Sequence, residues 1–153
     1  MKVTDFLAAD MIVSDLRSDT KAGVLGELAS HLAERMVGVD GAVLKKVLEE
    51  RELLASTAIG DGIAIPHGKL DAVGRLVGTL GRAREGIEFE SIDGKPTHLV
   101  FMLVAPASST GVHLKALARL SRLFRDADFR ARLMAAPDAQ SMYQVIVDED
   151  AKY

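Results

Sequence analysis

Cysteine is absent from this chain of 153 residues, which removes disulfides, thiolate nucleophiles and cysteine-ligated zinc or iron–sulfur centres together. Tryptophan is absent as well, and aromatics make up only 5% of the residues, too few for a surface that reads bases or sugars by stacking. Long apolar runs are also missing. The longest, Leu99 to Pro106, falls far short of the ~20 residues that span a bilayer as a helix. The opening residues, Met1-Lys2-Val3-Thr4-Asp5, lack the charged-then-apolar order of a signal peptide. Nor is there an excess of base: 19 Lys+Arg against 22 Asp+Glu leave a net charge of −3, which argues against nucleic acid or anionic membrane as the main partner. These absences lead to the expectation of a cytoplasmic globular protein with no nucleic-acid partner and no membrane insertion. The length fits one domain over residues 1–153.

What is present is mostly helical at the two ends. Ser18-Asp19-Thr20 offers N-caps, and Leu25, Leu28, Leu32 and Met36 then recur as one helical stripe, closed by Gly38. Gly23 and Gly26 inside this stretch mark a weakened helix or the close approach of another element. Asp40 caps a second helix with Val43, Leu44, Val47, Leu48 and Leu54 on its apolar side, so the two read as an antiparallel hairpin. The glycine-rich run Ser56 to Gly68 excludes a helix, and its Ile63/Ile65 alternation predicts a short strand ending at Pro66. A strand over Arg75–Arg82, a turn at Glu85-Gly86, an alternating Ile87–Glu90 and a turn at Asp93-Gly94 follow. Leu99–Val104 carries no polar residue, as a strand buried on both faces would. The last third predicts helices over Gly111–Arg125, Asp128–Ala135 and Asp138–Val147. Helices at both ends of a strand-rich centre give an α/β (α+β) fold, a mixed sheet sandwiched between helices.

Chemistry in such a chain falls to four histidines and the carboxylates. His31 sits beside Leu32 within the first helix and His98 opens the buried strand, positions that suit structural residues. His67 differs, because Pro66 fixes the backbone before it and Gly68 leaves room for a partner to approach the ring. His113 shares an inward stripe with Leu117, Leu120 and Phe124 and lies in the first turn of its helix. There it is either a core histidine bonded to a carbonyl or part of an anion site at the helix N-terminus. The arginines 119, 122, 125, 130 and 132 form a basic stretch, readable as a solvated face or as a surface for an acidic protein. Phosphate-binding P-loop, dinucleotide, zinc-protease and serine-hydrolase patterns are all missing, so no cofactor or metal is implied.

The run Ser56-Thr57-Ala58-Ile59-Gly60-Asp61-Gly62-Ile63-Ala64-Ile65-Pro66-His67-Gly68-Lys69-Leu70 resembles the phosphoryl-accepting segment of enzyme IIA domains of the bacterial phosphotransferase system, fructose/mannitol family, nitrogen-regulatory type. Arg51-Glu52 ahead of it, the buried strand, His113-Leu114 and Tyr143-Gln144-Val145-Ile146 extend the likeness over most of the chain. Two positions depart from the pattern, Ala58 and Asp61, which stand where glycine and asparagine are more usual; Asp61 brings negative charge to the motif. The resemblance implies that His67 accepts a phosphoryl group from an HPr-like phosphocarrier protein, with Arg51 and His113 around the phosphohistidine. Thr57 is a weaker carry-over as a phosphate contact. It also implies downstream regulatory targets that respond to the phosphorylation state. The alternative within the family is a sugar-specific IIA component passing phosphate to a IIB domain, and the lack of a IIB-like or membrane segment favours regulation. Two readings from other classes stay open, a binding regulator independent of phosphorylation and, more distantly, a metal-dependent hydrolase using His67 and His113.

Overall fold

The computed structural model describes all 153 residues. Eleven regular elements follow one another, and local chemistry explains most of their ends. Two 3-10 turns, Val3–Asp5 and Ala9–Met11, lead into β1 (Ile12–Val13), a segment with no pattern legible beforehand. Helix α1 (Lys21–Arg35) starts where the Thr20 hydroxyl accepts the N–H of Gly23, and α2 (Gly41–Leu54) starts where the Asp40 carboxylate accepts from Ala42 and Val43. The two do form a hairpin, and the close approach expected at Gly26 is the Lys45 stem of α2, 3.2 Å from where a Cβ would stand. The apolar side of α2 is narrower than expected: Leu44 and Leu48 are buried but Leu54 is 81% exposed.

The sheet is mixed and six-stranded. Its strands are β1, β2 (Ala58–Gly60), β3 (Ile63–Ala64), β4 (His67–Lys69), β5 (Val77–Ile87) and β6 (Thr97–Ala105), in the order β1-β5-β6-β3-β2 with β4 also on β6. β6 is the axis. It pairs antiparallel with β5 and parallel with both β3 and β4, and from Leu99 to Ala105 every residue is buried, as its unbroken apolar sequence required. Two expectations shift here. The strand expected over Arg75–Arg82 runs from Val77 to Ile87, through the expected turn at Glu85-Gly86, with Gly86 absorbing an irregularity at φ +79°. The segment expected to end at Pro66 resumes, so that His67 opens β4 opposite Leu103.

Helices α3 (Thr110–Phe124), α4 (Ala127–Ala135) and α5 (Ala139–Asp150) complete the chain, with Asp126 and Asp138 as N-caps of the last two. α5 runs past the expected end at Val147 because Glu149 and Asp150 are tied inward: Asp150 accepts the N–H groups of Val3 and Thr4 and pairs with Arg119 at 2.9 Å. Much of the basic stretch is therefore used inside the fold. Arg132 pairs with Asp128 and Glu149, Arg130 donates to the carbonyls of Phe124 and Arg125, and Arg122 lies over the Tyr153 ring. Fully buried Arg82 donates to the carbonyls of Ser14, Leu133 and Ala136, holding β5 to the C-terminal end of α4. No helix is long and apolar enough to cross a membrane.

Candidate functional site

β4 hydrogen-bonds to β6 alone, and a cleft of about 550 Å³ opens between it, α2 and α3. Val47, Glu50, Arg51 and Leu54 line it from α2, His67 to Lys69 from β4, and Thr110, His113, Leu114 and Leu117 from α3. Gly68 is what lets α2 come this close, since a Cβ there would sit 2.8 Å from Cγ1 of Val47. Side chains alternate across a strand, so with Gly68 turned to α2 the His67 ring points the other way, towards α3. The His67 and His113 rings lie edge to face with centroids 5.5 Å apart, though 46 residues separate them in the chain.

The two rings are held differently. Nδ1 of His67 lies 2.7 Å from the carbonyl oxygen of Ile65. A carbonyl only accepts, so Nδ1 carries the proton and Nε2 is left with the lone pair. Burial and the Arg51 guanidinium hold the His67 pKa below its ordinary 6.5, partly offset by the Ile65 bond and by Glu52. At neutral pH the ring is therefore an uncharged nucleophile with one nitrogen committed and the other free. His113 is buried, 5% exposed, and neither ring nitrogen has a partner. Of the two readings left open for His113, a core histidine satisfied by a carbonyl is therefore not what the fold contains. Burial, followed by the charges of His67 and Lys69, lowers its pKa to about 4. It is a neutral ring in the lining of the cleft, with an N–H that nothing in the fold engages.

Arg51 sits in the last turn of α2 and donates one hydrogen bond, to the carbonyl of Ala55 at 3.1 Å. It makes no ion pair with Glu49, Glu50 or Glu52, the surface role that its neighbours would offer. Lys69 and Thr110 were not singled out from the sequence, yet both line the cleft and are joined at 2.7 Å from Nζ to the hydroxyl. Lys69 was readable in principle, because two residues along a strand return to the same face. Thr57 does not line the cleft. It is buried, its hydroxyl has no partner, and its backbone carries its contacts, N–H to Glu52 at 3.1 Å and carbonyl to the N–H of Ile65 at 3.0 Å. Asp61 also lies elsewhere. It turns the β2–β3 hairpin at φ +57° and donates its N–H to Asp93, and the β6 register puts that end of β3 four residues from His67, roughly 13 Å. Its charge is thus away from the cleft. His31 and His98 are structural, bonded to the carbonyls of Asp10 at 2.7 Å and Ala83 at 3.1 Å.

This mixed sheet capped by helices is the architecture of a known family. Residues 5–149 match the family model for the phosphoenolpyruvate-dependent sugar phosphotransferase system, EIIA 2, and the chain belongs to that family. Within it, the chain is 44% identical over 146 residues to a nitrogen regulatory protein of Bradyrhizobium diazoefficiens, covering 95% of each. It is 35% identical to the fructose-specific EIIABC component of Bacillus subtilis, covering 98% of this chain but 24% of that protein. Among solved structures, the nitrogen regulatory protein IIA-Ntr from Neisseria meningitidis superposes with a TM-score of 0.87 at 32% identity, over 94% of this chain and 98% of that one. The likeness to the nitrogen-regulatory branch exceeds that to the fructose component, and the fold is that of the phosphotransferase-system IIA proteins.

Proposed function

We propose that this chain is a phosphocarrier, a single unit over residues 1–153 working in the cytoplasm, that takes a phosphoryl group onto Nε2 of His67 from an HPr-like protein and regulates target proteins by whether it is phosphorylated. The observation that carries this reading is the 2.7 Å bond from Nδ1 of His67 to the Ile65 carbonyl. In the transfer the Nε2–P bond forms as the donor's N–P bond breaks, and the bond pair returns to the donor nitrogen. The proton on Nδ1 stays where Ile65 holds it. Phosphoryl transfer asks mainly for alignment and charge stabilisation. Arg51 supplies a planar cation beside the ring and His113 a neutral N–H, both able to contact the phosphoryl oxygens. Lys69 adds a second cation at the rim, and Thr57 acts through its backbone. No nucleotide, metal or cofactor enters the step, because the donor already holds an activated phosphoryl group.

Leu54 and Leu114 line the same cleft and are 81% and 61% exposed, an apolar rim that a carrier protein could cover during transfer. Regulation follows from the same geometry, since a phosphoryl group adds roughly −1.5 to −2 charge to a surface that a target must also touch. The test is incubation with phosphoenolpyruvate, enzyme I and an HPr-like carrier, then mapping of the modified residue. The expected product is an acid-labile, alkali-stable phosphoramidate on His67, lost in His67→Ala. Acid-stable phosphate on Ser56 or Thr57 would refute the reading, and onward transfer to a IIB domain would move the protein to sugar transport.

A further inference from the structure

Glu52 occupies a place that simple electrostatics disfavours. It lies in the last turn of α2, where the helix end already carries partial negative charge, and its side chain is only 5% exposed. A buried carboxylate persists when it is paired, and here one oxygen carries all the pairing, Oε2 being buried without a partner. Oε1 accepts the N–H of Thr57 at 3.1 Å and lies 3.1 Å from Nζ of Lys21, itself mostly buried at the start of α1 and 5.0 Å above the Phe89 ring. From Thr57 the connection runs directly to the cleft. Its carbonyl accepts the N–H of Ile65 at 3.0 Å, and the carbonyl of Ile65 accepts Nδ1–H of His67 at 2.7 Å. On the far side, Pro66 is pinned by the N–H of Leu103 at 2.9 Å.

We propose that Glu52 is a positioning residue for His67: its carboxylate anchors Thr57, Thr57 anchors Ile65, and Ile65 fixes the ring tautomer that leaves Nε2 free. This rests on the reading of His67 as the phosphoryl acceptor. The neighbour Arg51 faces the cleft directly, so adjacent residues at the end of α2 divide the work, one touching the phosphoryl site and one holding the strand that presents the histidine. The titratable groups around His67 are Glu50, Arg51 and Glu52 from α2, His113 from α3 and Lys69 on its own strand.

Two substitutions separate reach from charge. Glu52→Gln keeps a carbonyl oxygen at the same distance for Thr57 N–H and Lys21 but loses the charge. Glu52→Asp keeps the charge but draws the carboxylate back by one methylene, beyond hydrogen-bonding range of Thr57. The readouts are the tautomer of His67 from its ring 15N shifts, the rate of phosphorylation by the HPr-like donor, and melting temperature on the same preparations. Positioning predicts a single Nδ1–H tautomer and a rate within about threefold of wild type for Glu52→Gln, against mixed tautomers and a loss of about tenfold or more for Glu52→Asp. Wild-type tautomer and rate in Glu52→Asp, or an equal loss in both variants, would overturn the proposal. The tautomer is measured without any phosphoryl donor. Wild-type protein that takes no phosphate therefore counts against the phosphocarrier reading, while the 15N result still decides the role of Glu52.

Discussion

Replacing His113 by leucine should make the protein more stable and less active, and the size of the first effect should depend on pH. The ring is buried with both nitrogens unpaired, a burden of about 1–3 kcal/mol for an unsatisfied polar group. Leucine is close in size and carries no such group. At neutral pH the expected gain is therefore of that order, or about 2–4 °C in Tm per kcal/mol for a domain of this length. Proton linkage adds a second component. His113 titrates at about 4 in the folded protein and at ~6.5 when unfolded, so between these values the unfolded chain binds more protons. Wild-type stability must then fall as pH drops through that window. The loss is about 2 kcal/mol at pH 5 relative to neutral, and about 3 kcal/mol below pH 4. His67, also shifted downward, contributes with the same sign in both proteins. Urea titrations of wild type and His113→Leu at pH 7 and pH 5 read this directly, and the stability gap should widen by about 2 kcal/mol at the lower pH. In the same preparations, phosphorylation of His67 should slow by roughly 10- to 150-fold, the value of one hydrogen bond to a charged group that strengthens in the transition state. A variant less stable at pH 7, or a gap that does not change with pH, refutes the account of an unpaired neutral ring. Normal transfer removes His113 from the site.

Arg51→Ala should slow phosphorylation over a comparable range without changing the residue modified, and Arg51→Lys should restore only part of the rate, because a point charge cannot make the two parallel contacts of a guanidinium; stopped-time phosphorylation assays on the three proteins check the order. Gly78→Ala should destabilise by about 1–3 kcal/mol, since its Cβ would fall 2.5 Å from Cε1 of Phe101 at the centre of the sheet, whereas Gly94→Ala meets nothing within 4 Å and is strained only by its φ of +72°. Guanidinium denaturation should therefore give the larger loss at Gly78, and equal losses would contradict the packing argument.

Features that depend on a few neighbouring residues were legible in the sequence. Thr20 and Asp40 start α1 and α2 because a short oxygen side chain satisfies the free N–H groups of the next turn, whatever lies beyond. The burial of β6 followed from an unbroken apolar run, and the suspicion about His67 from the proline and glycine on either side. His113 stood out by its place on the inward stripe in the first turn of its helix, and the resemblance that began at the motif then joined it and Arg51 to His67. The first 17 residues were not legible, because their short 3-10 turns and two-residue strand have no periodicity of their own and exist through pairing with β5 and the clasp to Asp150.

What the tertiary structure alone decided is which polar groups meet. Arg82 and Glu52 are charged yet buried, because carbonyls at the end of α4 accept from the one and the backbone N–H of Thr57 donates to the other across the fold. Lys69 and Thr110 became neighbours only when β4 and α3 were brought together. The choice between a satisfied core histidine and an unpaired one at His113 was likewise undecidable along the chain, since it depends on whether any carbonyl comes within reach of that ring, and none does. Periodicity and caps are set within one or two turns of backbone, where the partners are neighbours in sequence. Hydrogen-bond satisfaction and the resulting pKa are set by contacts between residues tens of positions apart, whose distances exist only once the sheet has assembled.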